Sequence, residues 1–349
     1  TKRRISRANA IMPMQGRSTP SAFGLVWVFW LWLKVLAKCF RNRLLPYLQH
    51  CAAMLCSLFE NNSGNDITVH LLHHNLSKVS KNFLIKLAKR YNKTIKFYDV
   101  DLKHLGNVGI DDKTHPNLST ATYYRLMLPS LLDNNIERIL YLDCDVIVLG
   151  DITLLFTLEL DDYGVAGVED VTPGDDKHRQ VLGFSLSQKC FCAGILLINL
   201  RYWREHNSEE NMLSFANKMA GKLLLEDQDV LNHEFRNHWF KLPYKYMRTP
   251  MSIASLDRQQ QWPDIEEYFS HPVIIHYAAH VKPWLDISIP DGKYYWKYVG
   301  LSGFPNPVKS RTLDRYRWPI RKAKIRYYIN YYIHPFVPDI LEMLLADLH

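Results

Sequence analysis

Ile139-Leu-Tyr-Leu-Asp143-Cys144-Asp145-Val-Ile-Val-Leu-Gly150 is an apolar run broken by two carboxylates one residue apart. The aliphatic and aromatic residues on both sides have the composition of a strand buried on both faces of a parallel sheet. Burying two charges in such a strand is very costly unless something compensates them. Side chains alternate along an extended chain, so the spacing predicts that Asp143 and Asp145 point the same way. Two hard oxygen ligands converging on one point suit Mg2+ or Mn2+, with a diphosphate completing the coordination. The competing reading is a structural Asp pair at a strand end.

Strands and helices alternate on either side of this segment. Residues 47–59 have helical periodicity, and Asn61-Asn-Ser-Gly-Asn65 ends that helix with turn residues. Strands are predicted at 67–72, 95–100, 165–168, 194–199 and 273–276, and helices at 78–91, 119–132 and from Asp227 to Phe235. The alternation predicts an α/β fold, an open and mostly parallel sheet flanked by helices. Ligands of such sheets bind beyond the carboxyl ends of the strands, where Asp143 and Asp145 fall.

The chain has 349 residues and is 47% hydrophobic, which suits one large domain with appendages. Its net charge of +8 is unevenly placed. No acidic residue precedes Glu60, and between Lys293 and Arg326 ten Lys or Arg face a single acid, Asp314. Tyr316, Trp318, Tyr327 and Tyr328 interleave with those basic residues. Basic and aromatic ends around a balanced middle point to an anionic membrane surface as partner. A helical cap packed on the sheet is the alternative for the carboxyl end. Nucleic acid is not expected as a partner, since no recognised nucleic-acid motif is present. The organisation expected is a leader over 1–44, a catalytic domain over 45–290 and a basic aromatic tail over 291–349. The protein is expected to be cytoplasmic and peripheral on the inner face of the membrane.

Ala22 to Leu33 is a continuous apolar run of twelve residues, too short to cross a bilayer as a helix. No A-x-A cleavage site follows it, so it reads as an interfacial or buried helix. The six cysteines form no C-x-x-C pair and read as reduced thiols, most of them buried. His70, His73 and His74 lack a trusted coordination spacing and read as structural or solvent-facing.

Four other segments are candidates for chemistry. His276-Tyr-Ala-Ala279-His-Val-Lys282-Pro-Trp284 closes a predicted strand with a histidine and adds a lysine able to neutralise phosphate oxygens. Phe191-Cys192-Ala193-Gly194 puts small residues before a buried strand, either for close approach of a ligand or for a tight turn. Glu226-Asp227-Gln228-Asp229 places acids and an amide at a helix start, which fits capping as well as substrate binding. Arg125 sits on a predicted helix just before the Asp-x-Asp strand, suited to a phosphate or a surface ion pair.

Five pieces, STATYYRLMLP, YLDCDVIVLGDI, FCAGILLINLRYWR, EDQDVLN and HYAAHVKPW, together resemble glycosyltransferase family 8 over about Tyr47 to Trp284. The resemblance implies a GT-A, Rossmann-like fold and a retaining transferase. The reaction implied moves a hexose from a UDP-sugar to a glycan or lipid-linked saccharide of the lipopolysaccharide type, with Mn2+ or Mg2+. By position Asp143, Asp145 and His276 would be the metal ligands. Cys144 lies between the two carboxylates, and Arg125 and Lys282 would hold the diphosphate in the loop that includes Ala279. Cys192, Ala193, Asp227 and Gln228 would line the donor sugar, with Asp227 or Gln228 stabilising an oxocarbenium-like centre. Three positions depart from the family pattern. Cys192 stands for Asn, Ala279 stands for Gly, and the Ala-x-Asp-x-x-Tyr strand that holds uracil and ribose is not found in the leader. The leader is read as a divergent insertion or an out-of-frame start, with the first central strand missing. The alternative function is therefore a catalytically impaired transferase-like protein.

Overall fold

The structure, a computed structural model, describes residues 25–30, 45–100, 120–170, 179–180, 182–185, 187–250, 265–278, 282–285 and 289–307, with 25–30 described as backbone. Its strands are β1 (Leu25–Trp30), β2 (Ile67–His73), β3 (Thr94–Asp99), β4 (Arg138–Leu142), β5 (Val146–Val148), β6 (Val165–Glu169), β7 (Phe191–Asn199), β8 (Trp239–Leu242) and β9 (Ile274–His276). The helices are α1 (Leu45–Asn61), α2 (Lys78–Arg90), α3 (Leu128–Leu131), α4 (Leu200–Glu205), α5 (Ser208–Lys218), α6 (Asp227–Phe235), α7 (Ile265–Ser270) and α8 (Gly292–Ser302). Thr120–Met127, predicted α-helical, is a 3-10 turn leading into α3.

Seven strands form one sheet in the order β3-β2-β1-β4-β7-β6-β8. β1, β2, β3 and β4 run parallel, β7 is antiparallel to both β4 and β6, and β8 is parallel to β6. The fold is the mostly parallel, helix-flanked α/β sheet expected. Every residue of β7 is buried, because it lies between β4 and β6 with hydrophobic clusters on both faces. Strands buried this way lose the apolar-polar alternation and read as unbroken apolar runs.

Two expectations are corrected. The first concerns Leu25–Trp30, within the run read as a helix and with the central strand read as missing. It is a strand, parallel to both β2 and β4 at the middle of the sheet. An all-apolar segment of this length carries no periodicity to separate a doubly buried strand from a buried helix. The acid expected beyond that strand is nonetheless absent, since the first acidic residue is Glu60. The second concerns the Asp-x-Asp segment, which is not one strand. β4 ends at Leu142, residues 143–145 turn, and β5 pairs antiparallel with β9 in a separate two-stranded ribbon. The carboxylates are brought together by the turn and the ribbon rather than by strand alternation.

α8 packs on α1 and buries Tyr295 and Tyr298 in the core, although both belong to the segment read as a membrane-facing tail. The helical cap is the observed state of this part. The interleaved residues from Arg311 onward, the leader outside β1, and Ala279 lie outside the described residues. Among the described residues, no helix is long and apolar enough to cross a membrane.

Candidate active site

Asp143 and Asp145 sit at the carboxyl end of β4, and His276 is the last residue of β9. The ribbon register sets Val146 opposite His276, which draws the histidine to the carboxylates. One ligand atom from each of Asp143, Asp145 and His276 lies within 4.8 Å of the others. His276 Nε2 is 3.4 Å from Asp145 Oδ1 and 4.0 Å from Asp143 Oδ2. Two carboxylate oxygens and one imidazole nitrogen are a donor set for Mn2+ or Mg2+. Asp145 Oδ1 fits that reading further, since it is buried and, among the described residues, its charge partner is the His276 imidazole at 3.4 Å. Such an atom is costly in a folded protein unless a cation meets it.

Without a metal, protein charges compensate the pair. Burial would raise the Asp145 carboxyl, but Lys282 and His276 more than offset it and hold it well below the usual carboxylate range. Burial opposes protonation of His276, yet Asp145 and its hydrogen bonding lift the imidazole to about 10. Lys282 Nζ lies 2.6 Å from Asp145 Oδ2 and also donates to the Tyr277 carbonyl. Lys282 is thus at the site as expected, on a carboxylate.

Gly194 has a different use from the one expected. A Cβ built there would lie 2.2 Å from His276 Cε1, so the missing side chain makes room for the imidazole rather than for a ligand. Asp143 N donates to the Gly194 carbonyl at 2.9 Å, which ties the turn to β7. Cys192 Sγ is 3.8 Å from His276 Nδ1, on the ring edge opposite the carboxylates. Cys144 is not a ligand-facing residue: its side chain is buried in the core, hydrogen-bonded to Cys51.

Arg125 is buried and fully engaged. Its Nη2 donates to Asp143 Oδ1 at 3.0 Å, its Nη1 to the Ala193 carbonyl at 2.6 Å, and its Nε pairs with Asp227 Oδ2 at 2.8 Å. The guanidinium lies over the Tyr141 ring at 4.2 Å. Tyr141 also donates its hydroxyl to Asp143 Oδ1 at 2.7 Å. Burial works against the charge of Arg125, but Asp227, Tyr141 and Asp143 raise its pKa. It is not a surface ion pair; it joins the Asp-x-Asp turn to α6.

At the start of α6, Asp227 accepts from Thr122 Oγ1 and pairs with Arg125. Burial lifts its carboxyl to about 6 against the pull of Arg125. Gln228 accepts from Ala193 N at 2.9 Å through Oε1, and its Nε2 donates to Asp170 Oδ2 at 2.9 Å. Asp229 accepts from the amides of Leu224 and Leu225 at 2.9 Å each, which ties the loop before α6 to the helix. Asp170, Thr122 and Tyr141 escaped sequence reading. Only Asp170 carried a signal, as an acid just past the end of a predicted strand on the ligand-binding edge. His70 bonds the Tyr98 hydroxyl at 2.7 Å, while His73 and His74 flank Asp99 at 3.6 and 3.8 Å, away from the three-ligand group.

With this geometry in hand, the chain can be set beside known proteins. The profile of "Glycosyl transferase family 8" matches residues 44–288. General stress protein A of Bacillus subtilis is 28% identical over 251 residues, covering 68% of this chain and 84% of that protein. Lipopolysaccharide 1,2-glucosyltransferase of Escherichia coli is 28% identical over 282 residues, covering 77% and 80%. The crystal structure of galactosyltransferase LgtC with donor and acceptor sugar analogues superposes with a TM-score of 0.67 at 20% identity, covering 84% of this chain and all of that one. At that identity the likeness shows the fold.

Proposed function

The chain belongs to glycosyltransferase family 8, and from that premise we propose that it moves a hexose, with retention, from a UDP-sugar to a glycan or lipopolysaccharide-type acceptor. The observation that carries the reading is the convergence of Asp143, Asp145 and His276 with Lys282 at the carboxyl edge of the sheet. A similarity to a protein named as a lipopolysaccharide glucosyltransferase supports the acceptor class.

In this reading Asp143, Asp145 and His276 would hold Mn2+ or Mg2+, which would supply Lewis acidity and charge for a UDP diphosphate leaving group. Lys282, on Asp145 in this structure, is the cation that would meet the negative charge developing on the phosphates. Both Asp227 oxygens are engaged by Thr122 and Arg125, so this carboxylate acts by fixing Arg125 and through it Asp143. Gln228 Oε1 retains one lone pair beyond its bond to Ala193 N, and is the group offered to an electron-poor sugar carbon. The acceptor attacking from the leaving-group face is the other route to retention.

A second reading, an impaired transferase, is favoured by the absence of any acid before Glu60 to meet uracil and ribose. One assay separates the two. A panel of UDP-hexoses is offered with Mn2+, with and without EDTA, and released UDP is measured. The first reading expects metal-dependent UDP release from at least one donor. UDP binding with no release from any donor supports the second.

A further inference from the structure

His50, on α1, was singled out by no motif, yet it lies against the loop that carries Lys282. Its ring stacks on Trp284 with centroids 3.6 Å apart and planes 21° from parallel. Its Nδ1 is 2.6 Å from the Tyr295 hydroxyl, which accepts from Gln49 Nε2 at 2.9 Å. The one hydroxyl thus ties α8 to both Gln49 and His50 of α1. The loop is held from its other side by α8. Trp296 Nε1 donates to the Pro283 carbonyl at 3.0 Å, and the Tyr295 ring lies 5.3 Å from Trp284. Lys282 immediately precedes these two anchored residues.

A lysine side chain is a flexible four-carbon stem, so the place of its ammonium is set by where its backbone is held. We propose that His50 is a positioning residue for Lys282: by stacking on Trp284 and bonding Tyr295, it fixes the loop from which Lys282 meets the donor diphosphate. This inference rests on the reading of Lys282 as a diphosphate ligand. Burial drives the His50 pKa down to about 3, so the ring is neutral and its hydrogen bond to Tyr295 persists across the physiological range. Gln49 and His50 come from α1 and Tyr295 from α8, two helices that share one hydrophobic core.

The test is UDP binding by calorimetry in the presence of Mn2+, with Mn2+ binding alone as the control. His50→Ala should raise the UDP Kd about five- to tenfold, the equivalent of one net hydrogen bond and its packing. Mn2+ affinity without UDP should change by less than the UDP Kd, since Lys282 reaches Asp145 as well as the donor. Tyr295→Phe keeps the ring and removes the hydroxyl, and should move the UDP Kd the same way by less. In a Lys282→Ala background, His50→Ala should have no further effect, because it acts through the lysine. An unchanged UDP Kd in folded His50→Ala, or effects of His50→Ala and Lys282→Ala that simply add, overturns the inference. Should His50→Ala not fold, the same two criteria apply to Tyr295→Phe. If Lys282→Ala itself leaves the UDP Kd unchanged, the diphosphate reading is what fails.

Discussion

Asp143, Asp145 and His276 were each legible in the sequence, though for a reason that was partly misplaced. The pair of acids among aliphatic residues signalled compensation by a cation, and that inference does not depend on local backbone. The geometry assumed for it, alternation along one strand, does depend on it and was wrong. Lys282 was legible as a site residue, whereas its contact with Asp145 required the folded loop. Arg125 was less legible: a cation before an Asp-x-Asp segment looks available for phosphate, but its three partners come from the turn after β4, from β7 and from α6. A pH dependence follows at this scale. A metal needs the neutral imidazole, and in the metal-free protein His276 is protonated up to about 10. Metal binding must therefore release a proton throughout the neutral range. Affinity should rise with pH by about tenfold per unit until pH nears that value, about 1.4 kcal/mol per unit. Mn2+ titrations in two buffers of different protonation enthalpy would count the proton; no release would contradict a protonated His276 that turns into a ligand.

The elements read best were those with a period or a boundary signal. α2 begins at Ser77, whose hydroxyl accepts from Ser80 N, and ends with Lys89 and Arg90 in its last turn, both recognisable in sequence. β1 was misread because its apolar run has neither period nor turn residues, and only its partners β2 and β4 define it as a strand. The β5–β9 ribbon was invisible for the same reason, being a pairing between short segments distant in sequence. That ribbon is fixed by a buried ion pair which no motif predicted. Arg248 Nε meets Asp291 Oδ2 at 2.9 Å, with both side chains nearly inaccessible. Arg248 O accepts from His276 N at 2.8 Å, and the Asp291 carbonyl accepts from the Tyr277 hydroxyl at 2.8 Å. Arg248→Met leaves Asp291 buried without its ion-pair partner and should destabilise the protein by about 3 to 5 kcal/mol. Urea unfolding measures this, and a loss below about 1 kcal/mol, the scale of an exposed ion pair, would show the pair to be dispensable.

For the molecule as a whole, the family, the mostly parallel α/β class and the edge that carries the site could be read from the five motifs and the strand-helix alternation. Where the catalytic body ends could not. Tyr295 and Tyr298 have the composition of an interfacial segment, and only packing on α1 shows that they are core. The basic aromatic residues from Arg311 onward carry the proposal of membrane association alone. Each basic side chain at an anionic surface adds about 1 kcal/mol of attraction, which salt screens. Truncation after Pro307 should therefore abolish co-sedimentation with acidic vesicles at low salt while sparing transfer to soluble acceptors. Equal binding of both forms would move the contact to the basic leader.

The central claim is that Asp143, Asp145 and His276 form a divalent-cation site that serves a nucleotide diphosphate. Electron paramagnetic resonance of added Mn2+ tests it most directly, because free and bound ion are distinguished without any turnover. One Mn2+ should bind per chain, more tightly when UDP is present, and Asp145→Ala should abolish that binding in a protein that remains folded. Mn2+ binding that survives in folded Asp145→Ala, or no binding by the unaltered chain with UDP present, would contradict it.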